Sequence, residues 1–249
     1  MRLVTKPGIY LIAWTQFQCP PHLASLWSTD SDRDGEQLVE FAGRNCYASW
    51  NNPAGRTNEE YCGRLLEQAH LSVLEHGTAT FYIENVSRSL THELVRHRML
   101  SFSQLSQRYV ADREGTFVVP PAIQGDPFLE NLFSDSVALI HRSYQVLLSE
   151  LERFAVGDGS DRRSKKAVRE AARSLLPNCS ETRIVATGNY RAWRHFIRKR
   201  ATLDADAEIR GAAVRILQHL VHHVPALFAD YTLAQEDQVT YAVCGHNES

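Results

Sequence analysis

The strands of this chain do not alternate with helices at the regular spacing a doubly wound parallel sheet requires, and that irregular order is its strongest constraint. Thr78 to Val86 is the segment of highest β-propensity, built from Thr, Phe, Tyr, Ile and Val. Ile9 to Trp14 is a short apolar run that ends before Cys19-Pro20-Pro21 and is expected as a buried strand. Phe117 to Val119, ahead of Pro120-Pro121, and Arg183 to Ala186 are expected as two further short strands. The remaining pattern is helical. It covers Glu36 to Tyr47, a helix capped by Thr57 with Glu60 completing a capping box and ending near His70, and a helix from Ser87 to about His97. Leu129 to Phe154, Asp161 to Leu176, Tyr190 to Arg200 and Asp204 to Val224 follow. Gly157-Asp158-Gly159-Ser160 is the most linker-like stretch, but it lies between helices and reads as a turn. The expectation is an α+β fold in which residues 1–249 form a single domain, with a central, mainly antiparallel sheet and long helices.

Hydrophobic residues make up 43% and charged residues 22%, the range of a globular chain rather than a disordered one. The net charge of −2 argues against a general polyanion binder while leaving room for local basic patches. Five cysteines occur, widely spaced and with no C-x-x-C pair, which reads as reduced thiols in a cytoplasmic protein. The first residues show no uninterrupted apolar run, and no stretch approaches the ~20 apolar residues of a membrane helix. Neither a secretory signal nor a membrane partner is expected.

The chemistry concentrates between Arg96 and Arg108, which read Arg-His-Arg-Met-Leu-Ser-Phe-Ser-Gln-Leu-Ser-Gln-Arg. Guanidinium groups offer planar forks of donors suited to phosphates and carboxylates. Serine hydroxyls add donors, and glutamine both gives and accepts, as a pyrimidine edge demands. The segment suits a nucleotide together with a second phosphorylated ligand. A helix C-terminus also favours such cations through its dipole, so Arg96, His97 and Arg98 have a purely structural alternative. Against it, the polar segment after them, expected as a loop from Ser101 to Arg108, is poor in Lys and Glu and runs straight into Tyr109-Val110.

The spacing Arg-His-Arg-x-x-Ser-x-x-x-x-Ser-x-Arg, at Arg96, His97, Arg98, Ser101, Ser106 and Arg108, resembles the signature of flavin-dependent thymidylate synthases. The similarity extends from about His70 to about Asp206. The resemblance implies reductive methylation of dUMP to dTMP, with methylenetetrahydrofolate giving the one-carbon unit and FAD carrying hydride from NADPH. It implies a homotetramer whose active sites are shared between subunits. It also implies that Arg96, His97 and Arg98 contact FAD, with Arg96 near dUMP as well. Gln104, Leu105, Ser106, Gln107 and Arg108 would surround the nucleotide, Gln104 also reaching the cofactor, and Glu93 would lie beside them, one helical turn before Arg96. His70 and Ser72, just before Glu75-His76, become flavin candidates, and Arg173 is expected to reach the nucleotide.

The segment Asn189 to Arg200 interleaves basic and aromatic residues, a pattern that also occurs in nucleic-acid-binding modules. Arg191 and His195 share a helix face, and Arg200 lies about 140° further round at ~100° per residue. Beside the resemblance, this predicts that Asn189, Arg191 and His195 face FAD while Arg200 faces dUMP. Arg200 is the candidate for the chemical step, since a guanidinium at the uracil N3–C=O edge stabilises developing negative charge and needs no cysteine nucleophile. No G-x-G-x-x-G follows a strand, so flavin binding would be of a non-Rossmann kind. His219, His222 and His223 have helical spacing but no accompanying acid, and no metal site is expected. A nucleic-acid module and a Mg²⁺-dependent phosphohydrolase are the competing classes. The second lacks a carboxylate cluster.

Overall fold

The computed structural model describes residues 1–156 and 162–245. Its elements are β1 (Arg2–Val4), β2 (Gly8–Trp14), α1 (Asp34–Cys46), α2 (Asn58–Glu67), β3 (Thr78–Ser87), α3 (Arg88–Leu94), β4 (Ser101–Gln104) and β5 (Thr116–Val118). They continue with α4 (Pro127–Val156), α5 (Arg162–Ala172), β6 (Glu181–Asn189), α6 (Tyr190–Arg200), α7 (Ala207–His223), β7 (Tyr231–Glu236) and β8 (Val239–Cys244). Helix and sheet are mixed. Four strands form one sheet in the order β2-β3-β6-β4. β1 and β5 make a separate parallel pair, and β7 and β8 an antiparallel hairpin.

The chain forms two compact units, each of discontinuous segments. The first comprises Met1–Gly8, Ile83–Leu94 and Ser103–Ile184, and the second Ile9–Tyr82, Val95–Phe102 and Val185–Ser249. In the first, Tyr144 and Leu148 of α4 pack on Val168 and Ala172 of α5. In the second, Trp193, Phe196 and Ile197 of α6 are buried together with Ile209, Ile216, Leu217 and Leu220 of α7. Phe81 meets Trp193 edge to face at 5.1 Å, and the Trp193 indole N–H donates to the Ala79 carbonyl at 3.0 Å. A buried indole usually finds such an acceptor for its N–H.

Local chemistry explains the boundaries. Thr57 and Glu60 form the expected capping box. Ser87 Oγ accepts from the Leu90 N–H and starts α3 as anticipated. That helix stops at Leu94, however, short of His97. The chain turns there because Leu100 must return to the interior, where it packs on Gly188: a Cβ at 188 would lie 2.2 Å from Leu100 Cδ2. Arg96, His97 and Arg98 therefore sit in the turn that follows α3, and Glu93 is not continuous with them on one helix.

Other expectations are also revised. Ser101 to Gln104 is a strand, β4, rather than loop. β2 is apolar but not buried: Ile9 is inside, whereas Tyr10, Ile12 and Trp14 are each about half exposed. It is an outer strand of its sheet, and an apolar run does not reveal whether both faces are covered. β6 extends beyond Arg183–Ala186 at both ends. The β7–β8 hairpin was not anticipated. Its two-residue loop is Asp237-Gln238, both with positive φ (47° and 66°), the geometry of a type I′ turn without the Asn-Gly pair that would announce it. The Gly157–Ser160 turn and the start at Asp161 lie outside the described residues. No described helix is long and apolar enough to cross a membrane.

Candidate functional site

Each unit carries one group of the residues singled out above. In the second unit they are arranged by α6. Asn189 caps the helix, its Oδ1 accepting from the Ala192 N–H at 2.8 Å. Tyr190 donates its backbone N–H to the Gly77 carbonyl and lays its ring on Gly77 so closely that a Cβ there would lie 2.2 Å from the ring. With its start fixed, the helix presents Arg191 and His195 outward and brings the half-buried Arg200 to His97. Arg200 Nε lies 3.1 Å from His97 Nε2.

That contact settles the histidine's state. An arginine N–H can only donate, so Nε2 must accept, and the proton of the neutral ring belongs to Nδ1. Burial, the Arg200 cation and neighbouring His195 pull the His97 pKa down to about 4. His97 is 9% exposed, with its ring edge-on to Phe196 (5.1 Å) and His195 (5.8 Å). Its Nδ1 is buried and has no hydrogen-bond partner. A buried N–H donor without an acceptor is costly, and it points to a ligand that completes it. Arg96 and Arg98 flank it and are exposed.

A cavity of about 350 Å³ in the same unit is lined by His70, Ser72, Arg191, Cys46, Tyr47 and Tyr61, among others. His70 is delivered by a Schellman-type ending of α2. The His70 N–H donates to the Leu65 carbonyl and the Ala69 N–H to Leu66, with Ala69 in the left-handed region at φ 54°. Arg191 is held at the cavity by an ion pair with Glu75. The structure thus groups His70, Ser72 and Arg191 around one cavity and His97, His195 and Arg200 in one contact cluster.

In the first unit, Gln104 donates its amide to Thr91 Oγ1 (2.9 Å) and Thr182 Oγ1 (3.3 Å), which leaves its oxygen as an acceptor. The Leu105 N–H donates to the Arg183 carbonyl, and Ser106 Oγ accepts from the Arg108 N–H as the chain turns. Ser106, Gln107 and Arg108 are half-buried. Arg108 pairs with Glu170, while its Nε is buried without a partner. Arg173, in the 3-10 turn after α5, lies close enough to Arg88 to lower that residue's pKa, after burial, which is the larger cause. Two guanidinium groups in mutual repulsion form a place for an anion. Glu93 is half-buried on α3.

Arg88, Glu75 and Glu170 were not singled out from sequence. Arg88 follows the Ser87 cap and read as an ordinary first-turn residue. Glu75 and Glu170 matter only through arginines distant in sequence. The interleaved pattern on α6 does not make a nucleic-acid platform, because Trp193 and Phe196 are buried and Arg194 is wholly inside, paired with Asp230. His219 bonds the Ile9 carbonyl and His223 packs on Trp14. Among the described residues no group of His, Cys, Asp or Glu side chains could hold a metal ion. None of the five cysteines is in a disulfide. Cys46, unremarkable in the sequence, lines the cavity beside His70.

Comparison with known proteins gives the class first. The family model described as thymidylate synthase complementing protein matches residues 28–226. The structure of the UMP/dUMP methylase PolB from Streptomyces cacaoi, bound with 5-Br dUMP, has the same fold, with a TM-score of 0.67 over 92% of this chain and 96% of that one at 20% identity. A flavin-dependent thymidylate synthase of Mycobacterium sp. (strain JLS) is 51% identical over 231 residues, 90% of each chain. One from Mycobacteroides abscessus is 50% identical over 228 residues, 91% of this chain and 90% of that one. The chain belongs to the flavin-dependent thymidylate synthase family.

Proposed function

We propose that this chain, residues 1–249 acting as one catalytic domain, converts dUMP to dTMP. Methylenetetrahydrofolate donates the one-carbon unit, NADPH the reducing equivalents, and no cysteine acts as nucleophile. Bound FAD supplies the hydride chemistry. The observation that carries the reading is His97: a neutral ring in one tautomer, with Nε2 engaged by Arg200 and a buried Nδ1 that has no partner. The donor set around it suits FAD, whose phosphates are anionic and whose isoalloxazine edge is rich in acceptors. Arg96, His97, Arg98 and Arg191 would hold the cofactor, with Ser72, His70, Asn189, His195 and Gln104 as its further candidate contacts.

The nucleotide falls to Ser106, Gln107, Arg108 and Arg173, with Leu105, Glu93 and Arg96 adjacent. Arg88 and Arg173 repel each other until a phosphate lies between them. Arg200, with Nε engaged by His97, meets the uracil only through its Nη atoms. There its permanent charge stabilises the negative charge that gathers on the N3–C=O edge and makes C5 the nucleophile. The assembly is a homotetramer with shared active sites, acting in the cytoplasm. Exposed Phe128, Leu132, Leu139 and Val146 on α4 and Tyr10, Ile12 and Trp14 on β2 offer apolar surface for it.

The test is a purified protein with flavin absorbance and NADPH oxidation that responds to dUMP. Arg191→Ala is expected chiefly to weaken flavin retention, and Arg200→Ala chiefly to weaken nucleotide binding. Equal damage to both ligands by each variant refutes the division. Cys→Ser variants, Cys46→Ser above all, retain activity if no thiol is a nucleophile. A colourless protein that binds oligonucleotides with steep salt dependence refutes the whole reading.

A further inference from the structure

We propose that the C-terminal hairpin β7–β8 is a positioning element for Arg200, acting through the backbone carbonyl of Ala201. The hairpin lies beyond the family match, which ends at residue 226, so nothing in that match assigns it a role. It packs on α6 and α7. The inference rests on the role given to Arg200 above.

The hairpin grips α6 at two heights. At Arg194, the guanidinium donates to both carboxylate oxygens of Asp230 and to the Leu227 carbonyl, and Tyr231 Oη donates back to the Arg194 carbonyl at 3.0 Å. Asp230 is itself fixed to the end of the hairpin, since the Gly245 N–H donates to its carbonyl at 2.7 Å. At the helix terminus, the Ala242 N–H donates to the Ala201 carbonyl at 2.8 Å. The last carbonyls of a helix have no partner within it, and last turns fray. The last turn here carries Arg198, Lys199 and Arg200, so its backbone sets where that charge points. Ala201 is the C-cap, one residue past Arg200. A strap on its carbonyl fixes the backbone from which Arg200 reaches His97. A misplacement of about 1 Å at a reacting group costs roughly a hundredfold in rate, so this fixation bears on turnover rather than on fold alone.

The test uses the geometry of the ladder. Leu233 faces Ala242 across the hairpin, and the Ala242 N–H points away from β7 to Ala201. By antiparallel alternation the Thr240 N–H also points outward, on an exposed residue two positions away. Proline removes the donor at either site without breaking a ladder bond. Ala242→Pro is expected to lower kcat by roughly tenfold to a hundredfold and to raise KM for dUMP, while flavin retention stays within about twofold. In flavin-free protein, NMR titration of the His97 ring should show its midpoint rising from about 4 toward the ordinary histidine value, as Arg200 withdraws. Thr240→Pro is expected to stay within about twofold of the parent in every measurement.

An unchanged kcat and an unchanged His97 titration in Ala242→Pro overturn the proposal. So does an equal loss in Thr240→Pro, which would trace the effect to the hairpin's folding. If Ala242→Pro does not fold, Tyr231→Phe removes the hydroxyl donor to the Arg194 carbonyl, the hairpin's other hold on α6. It should lower kcat and raise the His97 midpoint, and neutrality there overturns the proposal. An active Arg200→Ala would instead overturn the role of Arg200. An inactive Arg200→Ala beside a neutral Ala242→Pro overturns the strap alone.

Discussion

Arg194 and Arg108 each face a carboxylate, yet their surroundings assign them opposite tasks. The Arg194 and Asp230 side chains are 0% and 2% exposed, while Arg108 and Glu170 are 39% and 37% exposed. Desolvating two charges is expensive, and the buried pair tolerates it only because Asp230 takes two guanidinium donors and the Leu227 carbonyl a third bond. Such an arginine is committed to the fold. A half-exposed pair is worth little in water, so Arg108 can exchange Glu170 for an anionic ligand at small cost. An arginine-rich sequence therefore holds two populations, divided by burial and not by residue type.

The harshest test of that division is Arg194→Met. It strands a buried Asp230 and should cost about 3–5 kcal/mol, measured by chemical denaturation. The double variant Arg194→Met/Asp230→Leu should recover most of the loss, and failure to do so would mean that the pair is more than a satisfied burial. Next is pH. His97 has its folded pKa depressed from 6.5 to about 4, so the folded state binds fewer protons than the unfolded chain between those values. Its contribution is complete above pH 6.5 and declines as pH falls toward 4, by about 3 kcal/mol in all. Denaturation midpoints across that window should show the slope, and His97→Gln should flatten it.

Arg108→Ala should then separate binding from stability. The fold loses less than about 1 kcal/mol, whereas nucleotide affinity, measured by calorimetry, falls by about 1.5–3 kcal/mol. A stability loss as large as that of Arg194→Met would erase the comparison. The smallest effect is at Ala69, whose left-handed backbone suits glycine. Ala69→Gly should raise stability by about 1 kcal/mol or less in thermal unfolding, showing that an exposed residue can still hold strain.

Much of the fold was legible where the signal is local. The Thr57–Glu60 box, the β3 segment and the bounds of α6 all follow from residues within a few positions of one another. The failures are tertiary. α3 stops early because Leu100 seeks Gly188, far along the chain. β4 hides in a polar segment because its pairing, not its composition, makes it a strand. The β7–β8 turn uses Asp237-Gln238, which has no distinctive composition. The site divides similarly. The Arg-His-Arg run and its serines are visible as a pattern, but the carboxylates that hold Arg108 and Arg191 are visible only in space. Nor does the sequence distinguish Arg194, wholly inside, from Arg191 and Arg200 on the same helix.

The seating of Tyr190 on Gly77 has a longer reach than its location implies. A helix transmits a shift at its first residue nearly intact along its axis, and Tyr190 and Arg200 are separated by roughly 15 Å at 1.5 Å per residue. The absence of a single carbon at position 77 therefore sets the reference point from which the far guanidinium is aimed. Drift at this glycine would be felt as a loss of aim at the opposite end of the rod.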